Sequence, residues 1–509
     1  MLSKKQMGIR TLISGFILYF ILAFYYLLQR IIKYLISCLN HYNGYTELDD
    51  YIGYIMNVST KNYLIIIYSL SYIVNNVFIG IGIVLNLFCN INTALLIGIS
   101  LILTILSNFF LILTKNIIIL IISTMIISAC NGIVSLPILF DVIKYFPRMK
   151  CLSISFILSG FSIANIFYEK IFDSIFNSHL NDINNYHKSD VEKIFIIYGA
   201  IKSFLKTLSI IICILSSLCI CLIYPYDIYI KYFDYSEEIF AITTKKFTMK
   251  LFNYQCKNNF FSINNNHYNS DLTNSNNTNN DEEPFLSLIS SCPFIQLIFL
   301  HFSSLFFNVI NSQLLQKFGY FNEYPKEYIQ TVEKISLLAN FIFYFIFGVL
   351  LERIKFRRIY VTVILIQIFT ISSWYFFSNK KIGFLLYNLI YSIVQPGNLI
   401  LVPNSFFSIF GVKKGILLLG ISSILINIYN LIKLFIEDIL IQKINYLMIN
   451  LVIMSFLILA FLIISVFIEK KHVYKYDENQ NKIEEMSEID VFDNDYETHE
   501  INELNDFGK

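Results

Sequence analysis

An all-α membrane protein of twelve spanning helices, arranged as two bundles of six, is the fold this sequence predicts. Three observations carry the prediction. Hydrophobic residues make up 56% of the chain and charged residues only 15%. A soluble domain carries roughly 25% charge, so much of this surface faces something other than water. Apolar stretches of spanning length recur along the chain, and about 20 residues rising about 1.5 Å each cross about 30 Å of hydrocarbon. The stretches divide six and six about one long polar insertion.

The first span is expected at 11–33. Its apolar run is too long for the core of a cleavable signal and lacks a small-residue cleavage site, so it reads as a helix that stays in the membrane. Spans two to six follow at 62–85, 93–113, 117–140, 152–170 and 195–224, completing an N-terminal bundle over 1–224. Residues 225–286 are polar, and 264–280 is a low-complexity Asn tract that cannot bury enough apolar area to fold. They form the expected linker. Spans seven to twelve fall at 287–312, 331–351, 359–377, 382–402, 414–436 and 446–468, within a second bundle over 287–468. The tail, 469–509, is rich in Glu and Asp without an apolar period and is expected to be solvated and disordered.

Cations in the short loops orient the chain. Lys4, Lys5 and Arg10 share one side with Lys144, Arg148 and Lys150, with Lys245, Lys246 and Lys250, with Arg353, Lys355, Arg357 and Arg358, and with Lys413 and Lys414. These are alternate loops. Both termini and the linker are therefore expected in the cytoplasm, with the plasma membrane as default location and an organelle membrane as the other option. The sequon Asn57-Val58-Ser59 then lies in the first outside loop. A net charge of +2 supplies no basic stripe for nucleic acid. The nine cysteines are scattered, mostly inside apolar runs, without metal-ligand spacing. No cofactor or metal is expected. The expected partners are the lipid bilayer, a small-molecule solute and a coupled proton.

Chemistry-bearing residues concentrate in three places. The loop between spans eight and nine reads Gly348-Val-Leu-Leu-Glu352-Arg353-Ile-Lys355-Phe-Arg357-Arg358. A glycine lets helices approach closely. The acid one turn later can pair with a basic group or cap a neighbouring helix N-terminus. The second place is a pair of similar turns, one in each half. The first runs Asn131-Gly132 to Pro137, then Phe146-Pro147-Arg148-Met-Lys150, then Ser159-Gly160. The second runs Pro396-Gly397, Pro403, then Phe410-Gly411-Val-Lys413-Lys414-Gly415 and Gly420. Each reads as an apolar helix ending in Pro, an aromatic-plus-cation turn and a helix with small residues. Such internal symmetry marks transporters built from parallel repeats.

The span eight–nine loop resembles the Gly-x-x-x-Asp-Arg-x-Gly-Arg-Arg motif of the major facilitator superfamily, with Glu352 for Asp and Lys355 for Gly. The corresponding stretch after span two, Gly82-Ile-Val-Leu-Asn86, has no acid and no arginines. The paired turns are similar to those of the monocarboxylate transporter and oxalate–formate antiporter branch and of the nodulin-like proteins. The resemblance implies two six-helix bundles that alternate access to a central site. It places gating on Gly348, Glu352, Arg353, Arg357, Arg358, Phe146, Pro147, Lys150, Phe410, Gly411 and Gly415. A helix-one lysine of the monocarboxylate family maps near Arg30, the expected anion partner. The helix-eight Asp and Arg of that family map to Asn340 and Tyr344, which puts proton-coupled lactate-type transport in question.

The third place is the span interiors, where ionisable residues are costly and default to functional candidates. His301 is the deepest histidine, either a carrier of a coupled proton or a hydrogen-bonded core residue. Asn75, Asn76, Asn131, Asn165, Asn308, Asn340, Gln395 and Asn398 are candidates to line a central cavity or to bond between helices. A membrane-embedded enzyme needs a base, an acid or a nucleophile together at depth. Only His301 is present, so no catalytic residue is expected. With no ATP-binding loop in view, a gradient must supply the energy. The function expected is secondary transport of a small organic solute, a monocarboxylate-type anion first. The alternatives are an amino acid or another neutral or cationic metabolite, or a non-transporting sensor on the same fold.

Overall fold

The computed structural model describes residues 3–42, 58–87, 89, 91–113, 116–184, 190–225, 288–322, 324–377, 380–426 and 446–466. Among them every regular element is helical: α1 Lys4–Tyr42, α2 Val58–Leu87, α3 Thr93–Leu113, α4 Ile117–Tyr145, a 3₁₀ turn Pro147–Met149, α5 Lys150–Asn184, α6 Asp190–Leu222, α7 Cys292–Phe321, α8 Lys326–Arg353, α9 Phe356–Phe377, α10 Lys381–Leu425 and α11 Tyr446–Val466. Nine stretches among the described residues are long and apolar enough to cross a membrane. Shorter apolar helices at Cys292–Ser304, Lys414–Leu425 and Leu451–Ser465 fall within expected spans seven, eleven and twelve. The linker, the acidic tail and Asn57 lie outside the described residues.

The helices bury their polar stripes and expose their apolar ones. In α3 the buried residues include Thr93, Ser100, Thr104, Ser107 and Asn108, which fall on one face of the helix. Its other face shows Leu95, Ile99, Ile102, Phe109 and Phe110, each more than half exposed. On α6, Ile210 and Ile214 are 63% and 64% exposed. Water would penalise such a surface. Lipid does not, and it leaves hydrogen bonds and close packing to join the helices.

Two apolar cores result. One draws on α1–α6, through Leu18, Phe24, Ile97, Ile138, Tyr168 and Phe204. The other draws on α7–α11, through Phe306, Tyr344, Tyr360, Tyr391 and Phe406, and takes in Ile83, Phe140, Ile143, Cys151 and Ile154 from the first half. Those five sit at the C-terminal ends of α2 and α4 and at the N-terminal end of α5. The halves therefore share a core at one end of the molecule. That end also carries Lys144, Arg148, Lys150 and Arg353, and is called the basic end below.

Two expectations about helix ends are corrected. Pro137 and Pro403 are expected near helix ends, but they lie inside α4 and α10, as does Pro396. In a packed membrane bundle, neighbouring groups re-satisfy the backbone that proline frees. Spans ten and eleven were expected as 382–402 and 414–436. The helix runs on past Pro403 and breaks at Gly411, whose φ of 75° and ψ of 165° lie in a region that L side chains avoid.

Candidate functional site

At the basic end α5 and α8 run antiparallel and touch. The first N–H groups of a helix have no partner within it. Those of Cys151 and Leu152 donate to Glu352 Oε1, at 2.6 and 3.2 Å, across the two halves. Of the two roles open to this acid, the structure selects the helix cap. A carboxylate there also faces the positive end of the helix dipole. Gly348 lies one turn earlier on α8. A Cβ at that position would stand 2.5 Å from Ser155 Oγ, 2.8 Å from Ser155 Cβ and 3.2 Å from Leu152 Cα. Gly348 and Glu352 together seat the end of α8 on the first turns of α5, and Phe156 and Phe345 meet edge-on deeper along the contact, with ring centroids 6.2 Å apart. The equivalent place in the first half behaves differently. Asn86 turns to its own loop, its Nδ2 donating to Ile91 O at 3.2 Å and to Thr93 Oγ1 at 3.0 Å.

The remaining gating candidates shape this end. Arg353 lies exposed in the last turn of α8, where the helix dipole favours a cation. Arg357 donates to Ser465 O at the end of α11, and Arg358 is exposed beside it. Phe146 closes α4 and Pro147 opens the 3₁₀ turn. Lys150 begins α5. In the second half the turn is made by Gly411. Phe410 is buried against Phe406, and a Cβ on Gly415 would stand 2.6 Å from Phe406 O. Similar sequence patterns thus make two different turns, one through a 3₁₀ turn and one through a positive φ. Gly160, Gly397 and Gly420 stand against Phe16 O, the Phe347 ring and Ile83 respectively.

The interior candidates separate into groups. Asn340 on α8 is buried, and its Nδ2 donates to Gln395 Oε1 on α10 at 3.2 Å. Its Oδ1 is buried without a hydrogen-bond partner. His301 on α7 bonds through Nδ1 with Ser422 Oγ of α10 at 2.9 Å. Asn131 lines a cavity between α1, α3 and α4 with Tyr25, Ser100, Thr104 and Cys130. The cavity offers about 10 Å³ to a water, room for one molecule. Asn76 and Asn165 are half-buried, and Asn75 and Asn398 are buried. Arg30 lies on α1, and its side chain is outside the described residues, as is that of Asn308.

Several residues of this architecture escaped the sequence reading. Asp141 is fully buried on α4, with Lys144 Nζ 3.7 Å from its Oδ1. Ending span four at residue 140 left it outside the membrane, and only the run of α4 to Tyr145 brings it in. Cys151 Sγ donates to Asn404 Oδ1 at 3.0 Å, a second polar bond between the halves. Gln367 on α9 is fully buried with neither amide atom bonded. At the far end of the α5–α8 contact, Lys334 Nζ lies 3.0 Å from Asp173 Oδ2. Nothing in the local sequence singles out either member of that pair.

No protein-family profile matches this sequence, and no curated protein does. Solved structures do. The proton:xylose symporter XylE, a major facilitator superfamily protein bound to 6-bromo-6-deoxy-D-glucose, aligns with a TM-score of 0.61 over 91% of this chain and 95% of its own, at 11% identity. The major facilitator superfamily transporter FucP, in its outward conformation, aligns with a TM-score of 0.54 over 90% of this chain and 99% of its own, at 13% identity. With its two helical bundles and these two structural neighbours, the chain has the major facilitator fold.

Proposed function

We propose that this chain is a secondary active transporter of a small organic solute, working by alternating access. The observation that carries the reading is the Glu352 cap. The last turn of a helix in one half holds the N-terminus of a helix in the other, at the end where the two halves share a core. A joint of this kind suits a gate, because it must break whenever the halves separate at that end. The bundles 1–224 and 287–468 would rock about a site between them, with linker 225–286 and tail 469–509 in the cytoplasm. The basic end would then be the cytoplasmic gate, closed by this contact.

Two solute classes divide on one residue. A monocarboxylate-type anion follows from the branch resemblance and needs Arg30 as its partner. A neutral, hydrogen-bonding solute is favoured by the Asn340–Gln395 pair, an uncharged donor–acceptor couple with one acceptor atom to spare. XylE is a proton:xylose symporter, which makes a pentose a natural member of the test panel.

The test is uptake into vesicles containing the purified protein. Labelled lactate, pyruvate, amino acids and xylose are offered with and without an inward proton gradient. Gradient-stimulated carboxylate uptake, lost in Arg30→Gln, supports the anion reading. Uptake of xylose or a neutral amino acid, lost in Asn340→Leu, supports the neutral one. If no solute of either class moves under any gradient, the transport reading fails and the sensor on the same fold takes its place.

A further inference from the structure

We infer that Asp173 and Lys334 form a second latch on the same helix pair, at the end opposite Glu352, and that it is the weaker of the two. The inference rests on the alternating-access reading above and adds the gate at the other face. Eighteen positions separate Lys334 from Glu352 along α8, and twenty-two separate Cys151 from Asp173 along α5. At about 1.5 Å per residue these are about 27 and about 33 Å, close to the hydrocarbon thickness of about 30 Å. One helix pair therefore carries a polar joint between the halves near each membrane face.

The two joints differ in kind. Glu352 serves two backbone N–H groups that have no other partner in their helix, beside the shared core residues Cys151, Phe347 and Leu351. Asp173 and Lys334 meet as side chains that are 29% and 41% exposed. Such a pair is solvated and screened by salt. Among the described residues, the first-half members of the shared core all sit at the basic end. Both joints reach water, Glu352 being exposed itself; the one at the basic end adjoins buried apolar packing between the halves, so the resting molecule stays closed there and opens first at the far end. Glu169 and Lys170 precede Asp173 and Glu333 precedes Lys334, so both signs of charge flank the pair and an exchange of its charges keeps the local balance.

Hydrogen–deuterium exchange of the full-length protein in lipid nanodiscs tests this. The variants are Asp173→Asn, Lys334→Gln and the exchange Asp173→Lys with Lys334→Asp. Each single variant should speed exchange over 169–176 and 330–338 by about twofold to fivefold, the range of a solvent-exposed ion pair. The exchanged pair should return to the wild-type rate, and segment 150–156 should not speed up in any variant. High salt should move the wild type toward the single variants. Single variants that exchange at the wild-type rate overturn the latch. So does an exchanged pair as fast as the singles, and so does equal acceleration at 150–156, which would mean general loosening. The uptake panel above reads the other question: a latch that passes this test in a protein that moves no solute leaves the latch standing and removes the transport reading.

Discussion

Replacing Glu352 tests the gate most directly, and the structure supplies both the magnitude and a reporter. Glu352→Ala removes the acceptor from two amides of the first turn of α5. Glu352→Gln removes the charge but keeps an oxygen at the same reach. Loss of a capping side chain costs about 1 kcal/mol, within a range of about 0.5–2. Loss of the charge beside a helix N-terminus costs about 0.3–1 kcal/mol. At about 1.4 kcal/mol per factor of ten, Ala should open the basic end about fivefold more often than Gln, and Gln about twofold more often than wild type. Cys151 reports the opening. It is buried in this state and its thiol donates to Asn404 across the gate. Its labelling by a membrane-impermeant maleimide, followed by peptide mass spectrometry to separate it from the exposed cysteines, should rise in the order wild type, Gln, Ala. Both variants lack the carboxylate, so any effect of its charge on thiol chemistry is common to them, and the Ala-to-Gln ratio isolates the cap. Equal labelling in the two variants, with both inserted and monodisperse, would refute the capping role.

Three further outcomes follow from the same geometry. Gly348→Ala puts a methyl group against Ser155 and should raise Cys151 labelling as Glu352→Ala does. Ser155→Gly in the same chain should restore the wild-type rate, and a double variant no better than the single would place the clash elsewhere. Asn340→Leu removes a bonded donor and a spare acceptor. It should raise the KM for the transported solute about tenfold or more with little change in kcat, since a site that hydrogen-bonds its ligand discriminates strongly when the bond is lost; an unchanged KM would remove Asn340 from the site. His301→Gln keeps a group able to bond Ser422 and should leave both uptake and its pH dependence intact. Loss of proton-stimulated uptake in that variant, with counterflow retained, would instead make His301 the carrier of the coupled proton.

The amino-acid sequence by itself determined the class of this molecule. Hydrocarbon demands long apolar helices, and that demand is written locally, residue by residue, in α3 as in α6. Loop cations and the ordered Gly348-to-Arg358 stretch are local too, so the stretch proposed here as a gate stood out in the sequence. Its partner did not. Whether Glu352 caps α5 or meets a cation depends on how two helices two hundred residues apart lie against each other, and no local pattern encodes that register. The same holds for Asn86, whose position matches Glu352 but whose short uncharged side chain folds back on its own turn. It holds for Asp141, which only the length of α4 brings into the interior, and for Asp173 and Lys334, ordinary charges until antiparallel packing set them 3.0 Å apart. Composition and periodicity choose the solvent and the elements, whereas joints between the halves arise from long-range packing of side chains on rigid helices, and only the tertiary structure decides them.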